Sequence, residues 1–448
     1  MNEINGNNVV EMKQKSKATS DIFDKNYCKC NERTNEYRPK AVTENIIALL
    51  DHYNIKAKYN EMSHDTEVEI PNTTYTCDNA QEITLEWIFN KCVHHDFLDM
   101  NKNRLEAILL MIADGEKYHP AKEYLIDNHI NYNASVDYIK QLADTITVKH
   151  TFKDELKHEL IKTWLISCVA AVMGKKGFSS HGVLVLQGGQ GIGKTSWFRN
   201  LVNDSEWFKD AIAIDPENKD SVSRAIRYWI VELGEIGSTM KKEIDMLKAF
   251  ITNDKDVFRK AYGRKESSYP RRTIFCGTVN AEQFLKDDTG NRRWWTIPCE
   301  AINYDHDIDM NAVWAQVYEL YKNGADAYLN SDIQAQLDEC NKSHEMMDNI
   351  DTLIESAFDW SKDERYWLKP SDVFNELGKP NNVSTTKIKR SLQKLGIKEK
   401  SGRSRVVLFL LPKTSSDENW TYEEETIEAG TGGSKQKAAQ EEIKLFQS

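Results

Sequence analysis

The sequence predicts an α/β protein: a core on a mostly parallel sheet, with a helical domain before it and a basic helix-and-hairpin unit after it. Three observations carry that prediction. The short apolar runs "GVLVLQ" (182–187), "YWIVEL" (228–233) and "TIFCGTV" (273–279) have the character of strands buried on both faces. Helical periods lie between them, as expected of parallel strands joined by crossover helices. A glycine-rich turn, "GGQGIGKT" (188–195), follows the first run directly and opens the next helix.

In chain order, residues 1–40 carry few apolar residues and no period, and are expected to be disordered. Residues 41–150 read as a mostly helical domain: "TENIIALLDHYNI", "TLEWIFNKCV" and "NRLEAILLMIADG" are amphipathic, the last closing on Gly115, with "EVEIPNTTYT" as a short extended piece. The α/β core is expected over 151–340, opening with the helix "ELKHELIKTWLISCVAAVMG" and closing with "DMNAVWAQVYELYKNG" and "SDIQAQLDECNKSHEMMDNI". Residues 341–412 form a further unit. In it "KPSDVFNELG" and "STTKIKRSLQKLG" read as helices, and "IKEKSGRSRVVLFLLP" as two strands around Ser401-Gly402: the layout of a winged helix. Residues 413–448, acidic and then Gly/Ser/Lys/Gln-rich, read as a mobile tail.

Composition bounds the function. At 448 residues two or three domains are expected, and a formal net charge of -11 argues against bulk charge-driven binding to nucleic acid. The polar N-terminus shows no signal peptide, and "WLISCVAAVMG" is too short to span a bilayer, so a cytoplasmic location in a bacterial host, without membrane contact, is expected. Cys92, His94 and His95 lie close together without the paired knuckles of a zinc site, and are read as a thiol and helix-borne histidines.

The turn at 188–195 fits the P-loop pattern G-x-x-x-x-G-K-[ST]. Gly188, Gly189, Gln190, Gly191, Ile192 and Gly193 supply backbone N–H groups to phosphate oxygens, and the following helix start, with Ser196, adds partial positive charge. Lys194 reaches the β and γ phosphates of ATP, and Thr195 ligates magnesium. A partner carboxylate is needed near a neighbouring strand end. Glu232 and Glu235 are the candidates: one for Mg2+, the other to orient or deprotonate the attacking water. Glu235 also reads as an acid at a helix N-terminus. Asn280, ending the third run, is suited to the γ-phosphate or its water, or simply terminates a strand.

"DDTGNRRWW" (287–295) sets Arg292 and Arg293 between a turn and two tryptophans. They read either as surface charges or as an arginine finger aimed at the nucleotide of a neighbouring subunit, with Trp294 and Trp295 as its anchor. Two basic surfaces suit DNA. "FRKAYGRK" holds Arg259, Lys260, Tyr262, Arg264 and Lys265 on a candidate hairpin tip that could grip and stack on a single strand, or be a solvated charged hairpin. In the winged-helix unit, Lys387, Lys389, Arg390, Lys394, Arg403 and Arg405 suit duplex DNA, with protein docking as the rival.

In order and spacing, "LVLQGGQGIGKTSWFRNL", "WIVELGEI", "LKAFITNDKDVFRKAYGR", "RRTIFCGTVN" and "DDTGNRRWW" resemble the virulence-associated protein E family, itself similar to superfamily III helicases of phages and mobile islands. The match covers about Glu155 to Glu300. "EKYHPAKEYL" (Glu116–Leu125) is similar to the family's upstream segment, although the Trp-Asp-Gly that often follows is absent. The resemblance implies an AAA+ type ATPase that assembles as a ring, commonly a hexamer, on DNA. It implies Lys194 and Thr195 as the first ATPase motif, Glu232 and Glu235 as the second, Asn280 as sensor, Lys260 and its neighbours as pore hairpin, and Arg292 or Arg293 as finger. Leu233 departs from the commoner Asp-Glu doublet, which leaves the division of labour between the glutamates open. No primase or polymerase signature is evident in the sequence, so any such partner would be a separate chain. The functional expectation is an ATP-dependent DNA helicase or replication initiator of a phage or mobile element. The alternatives are an ATP-controlled DNA-binding initiator or regulator without unwinding, and a nucleotide-gated defence ATPase.

Overall fold

The computed structural model describes residues 22–72, 79–129, 133–234, 241–259, 265–281, 284–285, 291–342, 344, 349–379, 383–402 and 406–412. The chain divides into two compact units, Met1–Met346 and Met347–Ser448. No helix among the described residues is long and apolar enough to cross a membrane.

Order begins earlier than the sequence suggested. Strands β1 (Cys28–Asn31) and β2 (Glu36–Pro39) form an antiparallel hairpin, and Phe23 is buried edge-on against Phe97 and His95. The expectation of disorder across residues 22–40 is thereby corrected. The hairpin is polar in itself, and its apolar anchor lies far along the chain. The helices Thr43–His52, Ala80–His94 and Lys102–Ala113 fall where their periods predict. They pack Ile46, Leu49, Ile88, Leu105 and Ile108 beneath a three-stranded sheet in the order β4-β3-β5: β3 is Lys56–Asn60, β4 Asp65–Glu69 and β5 Lys117–Tyr118. The region is thus less purely helical than expected, and it belongs to the same compact unit as the core.

The central sheet has six strands. They are β6 (Ile146–Val148), β7 (Val183–Gln187), β8 (Phe208–Ile212), β9 (Ile230–Leu233), β12 (Ile274–Val279) and β13 (Trp294–Ile302), while β10 (Lys255–Phe258) and β11 (Ser267–Pro270) form a separate hairpin. The order is β6-β13-β7-β12-β9-β8, with all neighbours parallel except the β6–β13 pair. Alternate residues feed two cores, because side chains in a strand point to opposite faces. Leu184, Leu186, Ile230, Cys276, Trp295 and Ile297 pack with the helices Asp154–Met173 and Met310–Lys322. Val183, Val185, Val231, Phe275 and Trp294 pack on the other face with Val222, Phe250 and Ile251. Buried indole N–H groups find acceptors, Trp164 on Phe275 O (3.0 Å), Trp229 on Cys168 O (3.0 Å) and Trp314 on Leu201 O (2.6 Å); that of Trp295 has none.

The β10–β11 hairpin is bolted to this sheet. Arg271 is buried and donates to both carboxylate oxygens of buried Asp256 at 2.6 Å, while its guanidinium lies 4.2 Å from the Phe250 ring centroid. The bidentate geometry and the aromatic face offset the cost of burying two charges.

The second unit runs helix Asn349–Ala357, β14 (Arg365–Leu368), helices Pro370–Glu376 and Thr385–Lys394, then β15 (Glu399–Ser401) and β16 (Val407–Pro412), in the sheet order β14-β16-β15. Ile388 and Leu392 bury the apolar stripe read from the sequence, against Ile354, Phe358, Leu368 and Phe409. The helix Ser331–Lys342 and His344 belong to the first unit, so the boundary falls after Met346 rather than at 341.

Two outcomes follow for stability. Arg271→Ala strands the buried Asp256 carboxylate and is expected to cost ~3–5 kcal/mol in urea unfolding, whereas Arg259→Ala at the exposed end of β10 should change it by less than about 0.5 kcal/mol. His119 caps the helix Pro120–Asn128 through Nδ1, and burial, helped by the Arg272 and His64 charges, pushes its pKa down from 6.5 to about 3. The unfolded chain protonates this group below about pH 6.5 and the folded chain does not until about 3, so stability should fall as pH drops through that window. His119→Gln should flatten this slope in unfolding curves taken between pH 4 and 7.

Candidate active site

The carboxyl ends of parallel strands β7, β12 and β9 come together on one edge of the sheet, where ligands of open α/β sheets bind. The loop after β7 is built on left-handed glycines, Gly191 with φ 81° and Gly193 with φ 92°, which side-chain-bearing residues rarely adopt. Gly188 is fixed to the neighbouring strand by its N–H on Val279 O at 3.0 Å. The helix Lys194–Arg199 follows, seated by buried Trp197 and Phe198.

Lys194 is 7 % exposed, and its ammonium donates to Gly188 O (2.9 Å), Gly189 O (2.7 Å) and Asn280 Oδ1 (2.8 Å). Burial lowers its pKa, opposed by the Cys299 and Glu232 charges. Glu232 is 3 % exposed, as an acid on an apolar strand must be if it faces the site. Its Oε1 accepts from Thr195 Oγ1 at 2.8 Å and from Thr278 Oγ1 at 2.6 Å, while Oε2 is buried without a hydrogen-bond partner. A buried carboxylate oxygen left unsatisfied is costly. With the Thr195 hydroxyl beside it, it forms the hard, partly anionic oxygen set that Mg2+ takes with a nucleotide's phosphates. Among the residues present, Thr195 and Glu232 therefore fit a magnesium ion. Thr278 escaped the sequence reading, although the period of two puts it on the same strand face as Asn280. Glu235 lies outside the described residues.

The structure does not bring the arginines to this edge. Strand β13 runs parallel to β7, with Trp294 opposite Val183 and Pro298 opposite Gln187. The turn Asn291–Arg293 thus sits at the start of β13, at the opposite end of the sheet from the P-loop, roughly 15 Å away at about 3.3 Å per residue. Arg292 is exposed and Arg293 half-buried, the latter's pKa lowered by burial and by Arg292. Trp294 and Trp295 are buried, and Asn341 clamps the turn on both sides, donating to Asn291 O (3.2 Å) and Trp294 O (2.9 Å).

Of the basic residues, Arg259 and Lys265 are exposed at the inner ends of β10 and β11, while Lys260, Tyr262 and Arg264 lie outside the described residues. In the second unit Lys387 and Arg390 are exposed and Lys389 is half-buried; Arg403 and Arg405 lie outside the described residues. Lys394 is exposed as well, and its ammonium also pairs at 3.0 Å with buried Asp351 of the helix Asn349–Ala357, tying two helices together.

Residues 130–346 match the model of the virulence-associated protein E-like domain. The matched stretch contains the glycine-rich loop, Glu232, Asn280, both arginines and the β10–β11 hairpin; the N-terminal three-stranded sheet and the second unit lie outside it. Among solved structures, the apo NrS-1 C terminal region (305-718) is similar at 12% identity, covering 82% of this chain and 98% of that one with a TM-score of 0.41. An A form apo structure of the NrS-1 C terminal region is similar at 11% identity over 82% and 98%, with a TM-score of 0.40. No curated protein matches the sequence.

Glu232→Gln keeps an acceptor for both threonine hydroxyls and removes the charge. Mn2+ binding in the presence of ATP, read by electron paramagnetic resonance, is expected to weaken by about tenfold or more with an unchanged melting temperature; undiminished Mn2+ affinity would take Glu232 out of the metal site.

Proposed function

We propose that this protein is a Mg2+-dependent ATPase of the AAA+ type, working as a ring oligomer that unwinds DNA during replication of a phage or mobile element. One observation carries the reading. Lys194, Thr195, Glu232 and Asn280 meet through hydrogen bonds of 2.8 Å at one edge of the sheet, while Arg292 and Arg293 start the strand whose direction takes them to the other edge. Within a single chain the phosphate and metal site and the turn bearing Arg292 and Arg293 therefore lie at opposite ends of parallel strands. Two copies in head-to-tail contact would supply both, and a repeated heterologous contact forms a ring when its rotation closes.

In this reading Gly188–Gly193 wrap the phosphates, Lys194 exchanges its loop carbonyls for β and γ oxygens, and Asn280 orients the γ-phosphate or the attacking water. Thr195 and Glu232 would hold a magnesium ion, which would supply positive charge against the charge developing on the phosphates. Arg292 of the neighbouring chain, the more exposed of the pair, completes the charge around the γ-phosphate, with Arg293 behind it. The polarity of the strands, the resemblance in motif order and the virulence-associated protein E-like domain support this reading.

The DNA contacts belong to two elements. The β10–β11 hairpin, rigid at its base through Arg271 and Asp256, would carry Arg259 to Lys265 into the ring's channel, onto a single strand. The helix-strand-helix-helix-strand-strand order of the second unit supports a winged helix, with Lys387, Lys389 and Arg390 facing duplex DNA. Subunits carrying Lys194→Ala and subunits carrying Arg292→Ala should each be nearly inactive, since an arginine finger is worth about 10³–10⁵ in rate. Mixed, they should recover DNA-stimulated ATP turnover. Failure of the mixture to exceed its parts, or full turnover by a monomer, would sink the shared site. Absence of forked-DNA unwinding by an ATPase-active ring would leave an ATP-controlled initiator instead.

A further inference from the structure

Tyr304 lies just beyond β13, and its ring closes directly on the P-loop. A Cβ added to Gly193 would fall within the ring, so only glycine lets the aromatic sit there. The residue is nevertheless 42% exposed, leaving much of the ring facing outward. Its backbone is held from two directions. Asn200, one residue past the helix Lys194–Arg199, donates to Tyr304 O at 2.8 Å. The preceding Asn303 N–H donates to Thr145 O at 2.8 Å, and the Thr145 hydroxyl in turn accepts from Trp197 on that same helix at 2.9 Å. The ring is thus a fixed part of the loop's surroundings.

The direction of a bound nucleotide follows from the strand order. Lys194 leans onto Asn280 at the end of β12, and Glu232 lies on β9 beyond it, so the terminal phosphate and its metal belong on the β12–β9 side of the loop. Strand β13 lies on the opposite side of β7. The nucleoside end therefore leaves the cradle toward β13, where the chain presents the outward part of the Tyr304 ring. A rigid aromatic with an exposed face gains by stacking on any base, because every base has a π face.

We propose that Tyr304 forms the nucleoside side of this site, packing against the base of the bound nucleoside triphosphate while the other part of its ring buttresses Gly193. The proposal rests on the reading of Gly188–Thr195 as a phosphate site. Calorimetric titration of the full chain with Mg2+ and either ATP or inorganic tripolyphosphate separates the two. Tyr304→Ala should weaken ATP about tenfold and tripolyphosphate, which has no base to stack, less than about twofold; Tyr304→Phe should keep both affinities. Equal weakening of both ligands in Tyr304→Ala would show that the ring only props the loop, and unchanged ATP affinity would show that it touches no base; either result overturns the proposal. A wild-type chain that binds neither ligand, or a Lys194→Ala chain that binds tripolyphosphate as wild type does, would instead bring down the phosphate site itself, whatever Tyr304 does.

Discussion

A carboxylate buried at the tip of β9 sets the terms for everything around it. Removing Glu232 from water is affordable only because two hydroxyls and a nearby ammonium face it. Those partners come from separate pieces of chain: Thr195 from the helix after the P-loop, Thr278 from β12, Lys194 from the loop itself. Satisfying one acid therefore fixes the relative heights of three strand ends. The loop cannot drift from β9, nor β12 slip against its neighbours, without stranding an oxygen in the core. The orphaned Oε2 is where this arrangement stays incomplete, and an oxygen-seeking cation is the chemistry that completes it.

Strand direction imposes the second constraint. A parallel sheet sends every carboxyl end to one edge and every amino end to the other, so residues that open a strand cannot meet residues that follow one. Tight anchoring makes this separation permanent. Asn341 grips the carbonyls on either side of the arginine turn, and the two tryptophans behind it face opposite cores. The turn is held by backbone contacts and buried neighbours, and no hydrogen bond or ion pair ties the exposed Arg292 side chain among the described residues.

Much of this was legible in the residues, and the gaps have physical causes. The P-loop and the three buried runs could be read because phosphate geometry and two-sided burial restrict residue type at each position. Helices with a clear stripe, such as Thr385–Lys394, appeared where expected. Strand β13 was missed because Pro298 sits inside it, and proline within a run argues against a strand unless the neighbouring ladder tolerates the lost donor, as it does here beside the irregular β6 pairing. Strand β6 has only three residues, and β8 alternates buried or half-buried positions with exposed ones. The ordering of residues 22–40 depends on Phe97, the role of Lys394 on Asp351, and the seat of Tyr304 on Gly193. Each is a contact between segments far apart in the chain, and local composition carries no trace of such pairs.

The ammonium of Lys194 is already saturated. Its three protons all have oxygens to go to, two of them carbonyls of the very loop it would serve. An incoming anion must outcompete this internal latch, so it is judged by how many contacts it makes at once rather than by charge alone. A lone phosphate, which can replace only part of the latch, gains little, whereas a chain of phosphates spanning the loop exchanges all of it together. In the proposed site, a lysine so engaged would discriminate by the number of phosphate oxygens offered together, favouring a polyphosphate chain over a single phosphate.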